Sequence, residues 1–140
     1  MHATPQELTI PRRLMQQLLH AAQETPELEA CGLISAINNI PCICYPIKNV
    51  SKQPQTHFQL DTKQQITAFA HMRNLGETLF GIFHSHPTGP ATPSKTDIQL
   101  AAYPEALHFI ISLDTKGVLE LRCFKITDAL TQEITLNITD

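Results

Sequence analysis

Leu79-Phe80-Gly81-Ile82-Phe83-His84-Ser85-His86 is the stretch on which the fold of this chain turns. Residues 79–83 are almost wholly apolar, the pattern of a strand covered on both faces and hence central in its sheet. The apolar run then gives way to His84-Ser85-His86. On an extended backbone, residues two apart point the same way, so both imidazoles can meet one ion. Residues 84–93 read as a loop punctuated by Pro87, Gly89, Pro90 and Pro93. After seven intervening residues comes Ser94-Lys95-Thr96-Asp97, in which Ser94 caps a helix expected over 94–102.

Outward from this centre, residues 10–24 read as a helix, with Ile10, Leu14, Leu18, Leu19, Ala21 and Ala22 in one stripe and Pro11 in its first turn. Residues 31–36 and 40–47 read as strands, with Pro41 and Pro46 marking an edge or an end. Residues 57–60 read as a brief third strand. Asp61 caps a helix to about Asn74, closed by Gly76, with Ile66, Phe69, Ala70 and Met72 as its apolar face. Residues 107–113, 118–126 and 132–138 read as strands, the first two joined by a turn at Asp114-Thr115-Lys116-Gly117. The order helix, strands, helix, strand, helix, strands predicts an α/β sandwich around a mixed sheet, and not a doubly wound repeat.

With 140 residues, one domain over 1–140 is expected. Hydrophobic residues at 42%, charged residues at 16% and a mean hydropathy of −0.10 fit a folded soluble chain. The net charge of −3 and the lack of a Lys/Arg cluster argue against a nucleic-acid partner. No apolar run approaches membrane-spanning length, and the first nine residues lack the order of a signal peptide. A cytoplasmic protein is expected. Cys31, Cys42, Cys44 and Cys123 lack the spacing of a zinc ribbon and read as reduced, mostly buried thiols.

His84, His86 and Asp97 can together hold a zinc ion and leave its fourth position open to water, which points to metal-assisted hydrolysis. A bland reading competes for Asp97, which with Ser94 makes a capping box. Ligation and capping would draw on the same carboxylate. The stiff loop between His86 and Ser94 would hold the helix start against the strand end. A hydrolase also needs a base, and Glu29, in Glu29-Ala30-Cys31-Gly32-Leu33-Ile34, is the candidate, with Glu27 its rival on composition alone. The Ser94 hydroxyl could also serve an oxyanion. His57 and Asn49 are secondary candidates for substrate contact, and Asn49 reads more simply as a loop-shaping residue. His2, His20, His71 and His108 read as surface or satisfied polar residues.

A Glu, then His-Ser-His, seven residues, Ser, two residues and Asp resembles the signature of JAMM metalloproteases, the catalytic members of the MPN-domain group. The short bacterial members are most similar, on Glu29 to Ile34, Asn49 and Phe58-Gln59-Leu60-Asp61. The resemblance implies one zinc ion per chain on His84, His86 and Asp97, Glu29 as general base and acid, and Ser94 as oxyanion stabiliser. It implies a curved mixed sheet flanked by helices, similar to cytidine deaminases. It implies zinc-activated water cutting a peptide or isopeptide bond after the Gly-Gly end of a ubiquitin-like sulfur-carrier protein, and it leaves a homodimer open. A deaminase would need His-x-Glu and Pro-Cys-x-x-Cys, which are absent. A metallo-β-lactamase-type hydrolase would want an Asp soon after the second His, where Pro87-Thr88-Gly89 stands. A RadC-like protein of the same superfamily shares the run from His84 to Asp97, but the chain lacks room for that branch's added helical segment. A non-catalytic MPN binding module is the alternative from another class, its zinc closed by a fourth ligand such as Cys31 or His57.

Overall fold

Strand order along the sheet explains how the site is built. The computed structural model describes residues 7–114 and 118–140. Its elements are β1 (Glu7–Pro11), α1 (Arg12–Glu24), β2 (Cys31–Ile37), β3 (Ile40–Ile47), α2 (Thr62–Asn74), β4 (Thr78–His86), α3 (Lys95–Gln99), β5 (Leu107–Ser112), β6 (Glu120–Thr127) and β7 (Leu130–Thr139). The seven strands form one sheet in the order β1-β7-β6-β5-β4-β2-β3. β4 runs parallel to β5 and antiparallel to β2, while β1 and β7 are the other parallel pair. The expected curved mixed sheet with flanking helices is what the chain forms.

Side-chain alternation divides the core between the two faces. On one face α1 inserts Leu14, Leu18 and Ala22 against Ile34, Phe83, Phe109, Ile111, Cys123 and Ile134. On the other, Ala68 and Met72 of α2 meet Leu33, Ile47 and Ile82. The sheet curls around α1 until its two edge strands, β1 and β3, touch. Pro41 and Pro46 lie on the edge strand β3, where a missing N–H costs no ladder bond. The turn between β2 and β3 is made by Asn38 and Asn39 at φ 52° and 65°, the left-handed pair that a tight hairpin takes. Gly32 is required by packing, since a Cβ there would lie 2.2 Å from the Tyr45 carbonyl oxygen and 2.5 Å from the Phe83 ring.

Several expectations need correction. Ile10 belongs to β1, so α1 begins at Arg12 and Pro11 precedes it at the N-cap. Ile10 is fully buried, but it enters the core from a strand. Residues 57–60 do not form a strand; they make one isolated bridge, Asn49 with Leu60. The buried face of α2 is Ala68 and Met72, while Ile66 is exposed. β4 does not stop at Phe83 but carries on through His86. The third helix ends at Gln99, short of the expected Ala102. Thr115, Lys116 and Gly117 of the expected turn, and the first six residues with His2, lie outside the described residues. No helix among the described residues is long and apolar enough to cross a membrane.

Candidate metal centre

The two histidines sit on a strand, so the side-chain period of two aims Ile82, His84 and His86 at the same face, the α2 side. There Nε2 of His84 and Nε2 of His86 are 3.1 Å apart. Oδ2 of Asp97 lies 3.0 Å from the first and 3.1 Å from the second. Asp97 reaches this point from the first turn of α3, whose capping box is intact: Asp97 N–H donates to Ser94 Oγ and Ser94 N–H donates to Asp97 Oδ2. Capping and convergence on the histidines therefore coexist on one carboxylate oxygen.

Glu29 completes the group. Its ligand atom and those of His84, His86 and Asp97 all lie within 4.8 Å of one another, and among the described residues this is the one such cluster. Glu29 precedes β2, and its backbone is tied on both sides. Its N–H donates to the Pro54 carbonyl and its carbonyl accepts from Asn49 Nδ2. Ser85, between the two histidines, then clamps the next residue twice: Ala30 N–H donates to Ser85 Oγ at 2.8 Å, and Ser85 N–H donates to the Ala30 carbonyl at 2.9 Å. Asn49 also bonds the His57 carbonyl and accepts from the N–H groups of Ser51 and Gln59. Every polar group of its side chain is spent on shaping the loop. Cys31 donates to the Ile47 carbonyl and His57 Nδ1 faces Thr56 Oγ1, and neither residue belongs to the convergent group.

The electrostatics suit a cation. Burial pushes the Glu29 carboxyl up to about 8, with His86 opposing and Asp97 reinforcing that rise. Burial would also raise Asp97, but the bonds from His84, His86 and the Ser94 N–H hold it well below the usual carboxylate range. Burial strips His84 of hydration and lowers its pKa. His86 goes up, because its bonds to Asp97 and to the Pro90 carbonyl outweigh partial burial. Pro90 O lies 2.7 Å from His86 Nδ1, so the proline loop leaves Nε2 free to face the cluster. Phe58 stacks on the His84 ring at 4.4 Å.

A metal fits these residues. Three lone-pair atoms crowd within 3.1 Å, an arrangement that repels unless protons or a cation lie between them. Tetrahedral ligands on zinc are separated by about 3.3 Å, given metal–ligand distances of about 2.0–2.1 Å. The buried Glu29 Oε1 is without a partner, as a group aimed at an ion or its water would be.

Two residues escaped the reading from sequence. The sequence alone gives Ser85 no role, although a hydroxyl in a buried strand needs a partner. His108 was expected at the surface or satisfied, but it is 4% exposed, its Nε2 has no partner, and burial lowers its pKa to about 4. Its position inside the apolar run from Leu107 to Leu113 was the available signal.

The cluster has the donor set that a metal-dependent hydrolase uses. The chain belongs to the prokaryotic homologs of the JAB domain, a family that matches residues 11–126. It is 31% identical to the CysO-cysteine peptidase of Mycobacterium tuberculosis, over 86% of this chain and 83% of that one. It is 33% identical to a probable TtuB-protein conjugate cleaving protease of Thermus thermophilus, over 69% and 64%. A solution structure of a protein from Desulfitobacterium hafniense superposes with a TM-score of 0.85 at 32% identity, covering 94% of this chain and 92% of the other.

Proposed function

We propose that this chain is a zinc-dependent peptidase that hydrolyses the peptide or isopeptide bond after the C-terminal Gly-Gly of a ubiquitin-like sulfur-carrier protein. The observation that carries this reading is the convergence of His84, His86 and Asp97 within 3.1 Å, with the Glu29 carboxyl beside them. The names of its relatives support the substrate class: one is a peptidase for a CysO–cysteine bond, another a protease for TtuB–protein conjugates.

His84, His86 and Asp97 would hold one zinc ion per chain. When bound, zinc supplies Lewis acidity, polarising a carbonyl and acidifying water. Glu29, whose pKa burial raises toward neutrality, would take a proton from water and return it to the departing amine. The water oxygen ends in the new glycine carboxylate and the transferred proton on the released amine. Ser94 Oγ accepts from Asp97 N–H, which leaves its own proton to donate to the substrate carbonyl oxygen. The whole of 1–140 serves as this one domain. Its four cysteines are free thiols, which agrees with a reducing cytoplasm.

Intact-mass analysis tests the reading. A sulfur-carrier protein extended beyond Gly-Gly is incubated with zinc-loaded wild type and with zinc-loaded Glu29→Gln. Loss of the added mass at Gly-Gly in wild type alone is expected. An intact carrier after prolonged incubation with zinc-loaded wild type would overturn the substrate class, and equal cleavage by Glu29→Gln would overturn the role of Glu29.

A further inference from the structure

The second ring nitrogen of His86 has a partner that decides which nitrogen carries the proton. Nδ1 lies 2.7 Å from the Pro90 carbonyl oxygen, and a carbonyl can only accept, so Nδ1 donates. A neutral His86 then has a bare Nε2, the form in which an imidazole takes a metal. What holds the Pro90 carbonyl in place therefore bears on the metal.

Both neighbours of Pro90 are fastened to β5. On one side, the buried Ser112 donates its hydroxyl to the Gly89 carbonyl at 2.6 Å. The same hydroxyl accepts from Asp114 N–H, which directs its own proton at Gly89. The Gly89–Pro90 peptide has no N–H, so its carbonyl is the one group by which a hydrogen bond can grip it. On the other side, Ala91 is fully buried and clusters with Ile110 and Phe124. Ile110 and Ser112 are two apart on β5 and stand in register with His84 and His86 on β4. All four side chains therefore share one face of the sheet. Leu113 N–H donates to the His86 carbonyl and ties the two strand ends together. Between the gripped Gly89 carbonyl and the buried Ala91 lie only φ and ψ of Pro90, and its ring fixes φ at about −65°. One torsion is left to place the carbonyl that His86 meets.

Resting on the zinc-site reading above, we propose that Ser112 is a positioning residue for the metal: through Gly89 and Pro90 its hydroxyl sets the tautomer and direction of His86, and hence the affinity for zinc.

Zinc dissociation constants, measured by competition with a chromogenic chelator, are compared for wild type, Ser112→Ala, Ser112→Thr and Ser112→Val. Thr and Val have one shape and differ in the hydroxyl. Loss of the hydroxyl should weaken zinc roughly ten- to a hundredfold, the usual cost of removing the support behind a metal ligand. The Ala and Val variants should show that loss, and the Thr variant should stay near wild type. If Ser112→Ala does not fold, the Thr and Val variants decide. A hydroxyl that only supports the fold would lower the thermal midpoint and leave zinc affinity unchanged, and that pattern would overturn the proposal. Equal weakening in Thr and Val would overturn it too. Pro90→Gly tests the route, since it frees the torsion that the ring fixes. It should also weaken zinc, and the double variant with Ser112→Ala should lose no more than the worse single one. Losses that multiply would overturn the path through the loop. No substrate enters these measurements, so they stand apart from the peptidase reading. Tight zinc without cleavage of a Gly-Gly carrier would remove the peptidase and leave the role of Ser112 standing. A wild type that binds no zinc would overturn the metal site and this role with it.

Discussion

Ser85 has no donor atom in the cluster, yet it decides where the cluster's acid stands. Its hydroxyl and its N–H hold Ala30 from both sides, and Ala30 follows Glu29 directly. Ser85→Ala leaves both imidazoles in place and releases one tether. We expect kcat to fall on the order of ten- to a hundredfold, the usual cost of a catalytic group misplaced by a fraction of an ångström to an ångström. KM and bound zinc, read by metal analysis, should stay as in wild type, and Ser85→Thr should restore much of the rate. Equal loss of zinc and activity would argue instead that the hydroxyl supports the histidines. His108 gives a prediction of a different kind. Its folded pKa, about 4, lies below the ordinary histidine value of 6.5. The unfolded chain therefore binds a proton that the folded chain refuses. The stability concerned is fully present above pH 6.5 and is lost as pH falls toward 4, up to about 3 kcal/mol. Urea unfolding at pH 7 and pH 4.5 should show a smaller drop for His108→Phe than for wild type. At this scale the sequence showed the five residues carrying the proposed chemistry, because their types and spacing are chemically unusual. It hid Ser85 and His108, whose roles depend on which strand lies next to them.

At the scale of elements, β4 carries the main lesson. Prolines after His86 suggested a loop from His84 onward, but β4 keeps pairing with β5 through His86 and Ser112. A strand fixes the direction of both rings more firmly than a loop would. The first prolines act only beyond it, turning the chain back so that α3 starts beside β4. β1 was missed because Ile10 falls in step with Leu14 and Leu18, and a five-residue edge strand is too short to display its own period. What settles it is pairing with β7, more than 120 residues away. Gly32 tests how tightly β2 is held between its neighbours. Gly32→Ala would drive a methyl group into the Tyr45 carbonyl and the Phe83 ring. Because one obstacle is backbone, we expect a loss of about 3 kcal/mol or more, seen as a lower thermal midpoint. A midpoint within a degree or two of wild type would mean that β3 can give way.

For the whole molecule, the question is what the metal is for. Both faces of the sheet carry apolar cores, built by α1 on one side and α2 on the other, and the cluster lies at one end of β4, apart from most of that packing. Chelation should therefore abolish hydrolysis and leave the far-UV circular dichroism unchanged, with a modest fall in thermal midpoint set by the lost binding energy. Added zinc should restore activity. Unfolding on chelation would instead mark the site as structural. The sequence by itself determined the helix and strand types of the long elements, the central place of residues 79–83 and the donor set, since each rests on local period, residue chemistry or spacing. Only the tertiary structure decided that Asp97 caps α3 and meets the histidines with one oxygen, that Ser85 tethers the neighbour of Glu29, and that His108 is buried without a partner beside the cluster. Those facts depend on strand order and on close approach between distant segments, and no periodicity within a segment records either.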